Sequence, residues 1–279
     1  MPLQDGRAKP AHPSEMTGRP ERTSLRRINA ADLLQAPVRQ ASSVRHVGHR
    51  PWPLPDRPWV MGQTWDDLLF LHYRVPAEEL RPLVPDGLEL EEHSGSAWLG
   101  VTPFEITGLR ARGLLPLPLA SSFRELNVRT YVTRDGKPGI WFFSLDASSR
   151  VAVEAARRLY RLEYFAAEMS MRRRGDEILF DCSRGGGKAF SAAYRPAGPV
   201  FHAEPGSLEH FLTERYCLYA EHEGELYRAD IHHRPWPLQR AEARVDLNTI
   251  APVRLDAAAE PLEHYSARLD VVIWALERA

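Results

Sequence analysis

The sequence predicts an α+β fold: a single domain cored by an antiparallel, barrel-like β-sheet with a few covering helices. Three observations predict it. About nine segments carry strand patterning, against three or four with helical patterning. The strands are joined mostly by short, turn-rich links rather than by the crossover helices of a parallel sheet. The clearest of them, Glu125–Thr133, alternates residue by residue: Leu126, Val128 and Val132 point one way, and Glu125, Asn127, Arg129 and Tyr131 the other.

Residues 1–57 read as a disordered or loosely ordered extension. They hold eight Pro and ten Lys/Arg against five Asp/Glu, a composition that buries too little apolar surface to offset chain entropy. One short helix is expected within them at Thr23–Gln35, anchored by Ile28 and Leu33. The folded domain is expected over 58–279. Trp65–Arg74 reads as a strand, and Val75-Pro76 opens a short helix with Glu78 and Glu79 in its first turn. Ala97–Ile106 is a strand in which Pro103 demands an edge or a bulge. Gly108–Leu119 is a Pro/Leu loop.

Glu125–Thr133 returns through the turn Arg134–Gly139 to the strand Ile140–Asp146. A six-residue loop would set Asn127 opposite Asp146 and Arg129 opposite Ser144. Ser149–Arg161 reads as a helix capped by Ser148 or Ser149, with Val151, Ala155, Leu159 and Leu162 as its apolar stripe. Tyr164–Met171 and Glu177–Ser183 form a hairpin, and Ala189–Tyr194 is a further short strand. Ser207–Leu218 reads as a helix packed through Leu208, Phe211 and Leu212. Leu226–His233 and His264–Ala275 complete the set. A division into two units near Pro196–Gly206 is the alternative to one domain.

Composition narrows the function classes. Of 279 residues, 43% are hydrophobic and 26% charged, enough for a substantial core. A net charge of −1 speaks against a dominant nucleic-acid surface. No run of about 18 apolar residues predicts a membrane span. The first residues lack the apolar segment of a secretory signal, and a cytoplasmic protein is expected. Two cysteines, Cys182 and Cys217, make no CxxC, so neither a disulfide framework nor a cysteine-built zinc site is expected. Only three of the 36 basic residues are lysines: Lys9, Lys137 and Lys188.

The polar face of Glu125–Thr133 is the main candidate site. Surface strands favour Lys, Thr, Ser and Glu; a Glu, Asn, Arg and Tyr set suits an internal polar pocket. Glu125 and Tyr131 are the candidate proton carriers, because burial moves such pKa values toward the working range. Asn127, Arg129, Ser144 and Asp146 are candidate substrate contacts, with Arg129 suited to hold a carboxylate. The same residues also suit a self-satisfied Glu–Arg–Asp network that locks the sheet. His232 and His264 join the candidate substrate contacts. Adjacent strand residues face opposite ways, so only one of His232 and His233 can face the pocket. These histidines with Glu125 suggest zinc or iron, but no HExxH or HxH spacing supports a metal, and none is expected. Gly185–Lys188 fails the phosphate-loop pattern because Ala189 follows the lysine. Cys217 has no local partner that would make it a nucleophile, and no GxSxG elbow is present.

The stretches WDDLLFLHYRVPAEELRPLVP, ELNVRTYV, GKPGIWFFSLDASS, AARRLYRLEYFAAEM, ERYCLY and IHHRPWPL together resemble the bacterial YqjF-like family of unknown function, grouped with the acetoacetate decarboxylase-like superfamily. The resemblance spans about Trp59 to Trp274. It implies a barrel-cored α+β domain with a central cavity. In that superfamily's decarboxylases a lysine forms a Schiff base with a keto acid. Phe123-Arg124-Glu125 is similar to the Tyr-x-Glu element, which would make Glu125 the pocket glutamate. Leu162-Glu163-Tyr164-Phe165 is similar to the lysine-bearing segment but holds no lysine. Schiff-base decarboxylation is therefore not expected. A pocket for a small, carboxylate-bearing molecule, with acid/base chemistry and no cofactor, is. A non-catalytic binding module and an interaction protein acting through the basic arm are the alternatives, and the oligomeric state is left open.

Overall fold

The computed structural model describes residues 30–117, 121–256 and 260–279. The elements run α1 (Ala30–Ser43), β1 (Met61–Val75), α2 (Ala77–Leu80) with a 3-10 turn over Arg81–Leu83, β2 (Glu89–Leu90), β3 (Ala97–Ala111), β4 (Phe123–Arg134) and β5 (Lys137–Ala147). Then come α3 (Arg150–Tyr160), β6 (Tyr164–Ala166), β7 (Glu168–Arg174), β8 (Glu177–Arg184), β9 (Lys188–Phe201) and α4 (Leu208–Thr213). The last are β10 (Cys217–His222), β11 (Glu225–His233), β12 (Leu238–Asn248), β13 (Leu262–Ile273) and β14 (Glu277–Arg278).

The main path of the sheet runs β14-β11-β10-β5-β4-β3-β1-β13-β12-β9-β8-β7. An additional pairing of β11 with β13, Ile231↔Ile273 through His233↔Val271, turns the middle of this path back on itself. Strands β1, β3, β4, β5, β10, β11 and β13 thus form a ring. β10 lies parallel to β5 and β6 parallel to β5, and the remaining pairs are antiparallel.

Two cores follow from strand alternation. Inward-facing Leu68, Phe70, Phe104, Ile106, Phe123, Leu218, Ile231, Leu269 and Val271 fill the ring together with Trp236. The outer face of β1, β3 and β4, with Leu69, Leu71, Leu99, Val101, Leu126 and Val128, packs against Ile178, Phe180, Phe190 and Tyr194 of the β8–β9 layer. The apolar side of Glu125–Thr133 is therefore covered by strands, not by helices.

Pro103 sits at a bulge, one of its two expected settings. The β1–β3 register jumps from Asp66↔Glu105 to Leu71↔Val101, so the missing amide of Pro103 interrupts no ladder there. Asp67 takes a left-handed φ of 53° in that bulge, where it accepts from the Tyr265 hydroxyl at 2.6 Å and pairs with Arg173.

Several elements differ from expectation. The turn between β4 and β5 is two residues, not six: Asp135 and Gly136 both have positive φ, as a type I′ hairpin requires. The turn alone moves the register by two residues and keeps every side chain on its face, but a bulge between Val128 and Arg129 moves it back by one, so that Leu126 lies opposite Asp146 and Val128 opposite Ser144, one residue away from the expected pairing. Helix α3 is capped by the Ser149 hydroxyl, but its buried face is Val153 and Tyr160; Val151 and Leu159 are exposed. The helix expected over Ser207–Leu218 ends at Thr213, and Tyr216–Tyr219, rich in strand formers, enters β10. Strand β12 is absent from the expectation: Arg240, Glu242, Arg244 and Asp246 alternate with Ala241, Ala243 and Val245, but alanines on the inner face and charges on the outer carry little strand propensity.

Residues 30–57, within the expected loose extension, are ordered against the ring. Gln40 is fully buried, donating to Gly108 O at 3.1 Å and accepting from Arg110 Nε at 2.8 Å. Arg50 donates to Ile231 O at 2.7 Å, and Trp52 donates to Asp230 at 3.1 Å. Buried polar bonds hold this segment where apolar burial alone does not. The expected helix Thr23–Gln35 begins outside the described residues; from Ala30 to Gln35 it coincides with α1, which continues to Ser43. Lys9 and the most basic part of the extension also lie outside them.

Candidate functional site

A cavity of about 130 Å³ occupies the part of the ring beside α3. Its walls are mostly apolar: Trp65, Phe104, Phe142, Leu145, Leu218, Ile231 and Trp236. Its polar groups include Gln63 from β1, Glu125 and Asn127 from β4, Tyr160 from α3, Tyr164 from β6, Arg215, Thr213 and His233. Strand alternation puts Glu125 and Asn127 inward, and the parallel pairing Leu145↔Tyr164 carries the tyrosine to the same end of the ring.

Glu125 is the centre of the arrangement. The Tyr164 hydroxyl donates to its Oε2 at 3.1 Å. Burial raises the Glu125 pKa to about 8, against the lowering effect of the bonds from Tyr164 and Asn127. The carboxyl is therefore predominantly protonated at neutral pH. Burial and the neighbouring Glu125 hold the Tyr164 phenol well above its ordinary pKa. Arg215 donates through Nε to Phe211 O at 2.7 Å and pairs with Glu91. His233 has Nδ1 2.7 Å from Arg234 O and Nε2 3.3 Å from Arg215 O, and burial lowers its pKa.

The other expected site residues divide by location. Arg129 and Tyr131 point into the ring but lie deeper, beside His72 and under α4. Arg129 sits 5.3 Å over the Phe70 ring and 5.9 Å from the Tyr131 centroid, and donates a long 3.4 Å bond to Leu212 O. Neither ring nitrogen of His72 has a protein partner among the described residues, and burial and Arg129 hold that imidazole neutral. Ser144 and Asp146 are on the outer face, a consequence of the bulge between Val128 and Arg129. Asp146 faces Arg184 at 3.3 Å there, and burial raises its pKa to about 6. His232 points out of the ring to Ser43 O at 2.9 Å, so His233 is the inward one of the pair. His264 packs against Phe201 away from the cavity. The histidines and Glu125 do not converge as a ligand set. Cys217 lies on a strand and burial raises its pKa to about 12, which suits no nucleophile.

Sequence reading missed Arg215, Thr213 and Tyr160, which reach the cavity from segments with no polar pattern. Tyr164 was missed as well, although a signal for it existed: it lies in Leu162-Glu163-Tyr164-Phe165, the segment whose resemblance to a lysine-bearing one was noted above. The described lysines are elsewhere: Lys137 binds Asp230 at 2.9 Å, and Lys188 donates to Ala251 O at 3.3 Å.

Comparison with known proteins rests on the same stretch of chain. The model of the DUF2071 family, described as an uncharacterized conserved protein, matches residues 62–270. The chain belongs to the DUF2071 family. It is 48% identical over 229 residues to the uncharacterized protein YqjF of Bacillus subtilis (strain 168), covering 81% of this chain and 95% of that protein. This DUF2071 chain is also similar in structure to the acetoacetate decarboxylase of Legionella pneumophila, with a TM-score of 0.57 at 12% identity over 86% of this chain and 95% of that one. The enduracididine biosynthesis enzyme MppR, complexed with pyruvate, aligns with a TM-score of 0.56 at 12% identity over 82% and 93%. The motif resemblance to the YqjF-like family holds, and DUF2071 shares the acetoacetate decarboxylase fold. Among the described residues no helix is long and apolar enough to cross a membrane.

Proposed function

We propose that this protein binds, inside its barrel-like ring, a small molecule with an apolar body and one carbonyl or carboxyl group, and exchanges a proton with it through Glu125. The observation that carries the reading is the Glu125 carboxyl, buried at the wall of an apolar cavity with a phenol on one oxygen. An apolar cavity of ~150 Å³ takes a benzene-sized guest, so this one fits the reactive end of a small organic molecule. A neutral carboxyl donates a hydrogen bond to a carbonyl oxygen, and a pKa near the working pH is what a group that both gives and takes a proton needs. Asn127 and the Arg215 guanidinium lie on the same wall and suit the ligand's oxygens. The fold neighbours work on, or hold, keto acids by name; that agrees with a carbonyl ligand but transfers no chemistry, since fold and function separate readily. Among the described residues no lysine lines the cavity, so none of them offers an amine for a Schiff base there.

The second reading is a binding module without turnover. It is favoured by Arg215 and His233, whose polar atoms already have protein partners, leaving few groups to act on a ligand.

Calorimetry with short monocarboxylic, 2-oxo and 3-oxo acids tests binding, and NMR in heavy water tests exchange of the hydrogens next to the carbonyl. The proposal expects binding of at least one class, with exchange that disappears in Glu125→Gln while binding survives. Binding without exchange in either protein identifies the binding module. No binding by any class removes both readings.

A further inference from the structure

The inner cavity does not end at α3. Met61, Leu109, Leu159 and Tyr160 line both it and a groove of about 620 Å³ on the outside of the molecule, so the two spaces meet at these four side chains. The far wall of the groove is the loop after β3. Leu114, Leu115 and Leu117 stand there 63%, 64% and 69% exposed, and Leu159 of α3 is 67% exposed beside them. Such a concentration of apolar side chains in water marks a surface that is covered when the protein works. At the junction the Tyr160 hydroxyl is buried with no hydrogen-bond partner among the described residues, a polar atom waiting for one.

We propose that the groove takes the apolar tail of the ligand whose carbonyl or carboxyl head sits at Glu125, so that the substrate class is a chain-bearing carboxylic or oxo acid. The inference rests on the function proposed above and extends it outward. Adjacency of the two spaces carries it: only the side chains that line both, Met61, Leu109, Leu159 and Tyr160, stand between them, and a longer body in the inner cavity reaches the groove by passing these four. The lining agrees, because the groove is walled mainly by aliphatic side chains and offers an alkyl tail about threefold to fourfold in affinity per buried methylene.

The test uses the full chain and straight-chain acids from butanoate to decanoate. Calorimetry is expected to show affinity climbing with length beyond what the inner cavity holds. Decanoate carrying a photoreactive diazirine on its terminal carbon is expected to label Leu114–Leu117 or Leu159, in competition with unlabelled decanoate. Leu115→Ser, at an exposed position, is expected to weaken decanoate about tenfold and leave butanoate unchanged. Labelling elsewhere, no saturable labelling, or label bridging two copies of the chain overturns the groove. Failure of the head site is separately visible: groove labelling that Glu125→Gln and excess butanoate leave unaltered retains the tail site and removes Glu125 as its anchor.

Discussion

The Tyr164 hydroxyl donates to Oε2 of Glu125 at 3.1 Å, and both groups are buried. This bond favours the charged carboxylate, so removing it favours the acid form. Tyr164→Phe is expected to raise the Glu125 pKa above about 8. Infrared titration of the protonated carboxyl band, with Glu125→Gln as the blank, measures it; a band that titrates lower in Tyr164→Phe contradicts the assignment.

The same burial makes stability depend on pH. The folded-state pKa of Glu125 is raised from 4.5 to about 8, so the folded protein holds this proton more tightly than the unfolded chain. That contribution is complete below pH 4.5 and is lost as pH rises toward about 8. It has a limiting slope of about 1.4 kcal/mol per pH unit. Asp146, raised to about 6, adds a smaller loss between its ordinary pKa and that value. Urea unfolding from pH 5 to 8 is expected to show declining stability in the wild type and a clearly flatter profile in Glu125→Gln.

Acid should release the N-terminal segment. Burial lowers the His232 pKa to about 4, and its ring contacts Ser43 O at the end of α1. A histidine depressed in the fold contributes stability that is present above pH 6.5 and lost as pH falls toward about 4. Hydrogen exchange of the α1 amides is expected to quicken across that window before the ring strands do. His232→Gln is expected to abolish the pH dependence.

Helix α1 also sets a steric limit on the strands below it. A Cβ at Gly62 would lie 2.3 Å from Gln40 Oε1, and one at Gly108 would lie 2.9 Å from the Ala36 Cβ. Gly62→Ala displaces Gln40 from its bonds to Gly108 and Arg110 and is expected to cost about 1–3 kcal/mol in thermal or denaturant unfolding. Gln40→Ala removes the obstacle, so the double variant is expected to lose less than the sum of the two singles.

Borohydride reduction with a keto acid is expected to leave no adduct on Lys137 or Lys188. Lys137 is held by Asp230, and Lys188 lies on the outer layer. Peptide mass mapping decides it, and a covalent adduct on either lysine overturns the proton-exchange reading.

Alternation along Glu125–Thr133 was a sufficient guide to the inward face, because a strand's period is two whatever covers it. It located Glu125, Asn127, Arg129 and Tyr131 inside the ring. Depth along the ring has no such signature, so Arg129 and Tyr131 could not be told apart from the cavity pair. Ser144 and Asp146 were misplaced because one residue of register inverts a strand's faces, and the bulge between Val128 and Arg129, which no sequence pattern marks, supplies that residue. Arg215 and Tyr164 reach the cavity through tertiary pairing, which no local spacing encodes. In α3 two apolar stripes compete, and the one through Val153 and Tyr160 wins because it faces the ring.

Met61 at the start of β1 pairs with Ile273 at the end of β13, and β13 also meets β11. The enclosure around Glu125 therefore has no last wall until β13 has left the ribosome. Until then the inward rows of β1 and β11 have no strand between them to close over them, and the facing edges of both stay unpaired. Pairings this distant in sequence are slow to form, and truncation within β13 is expected to cost the fold itself and not the cavity alone.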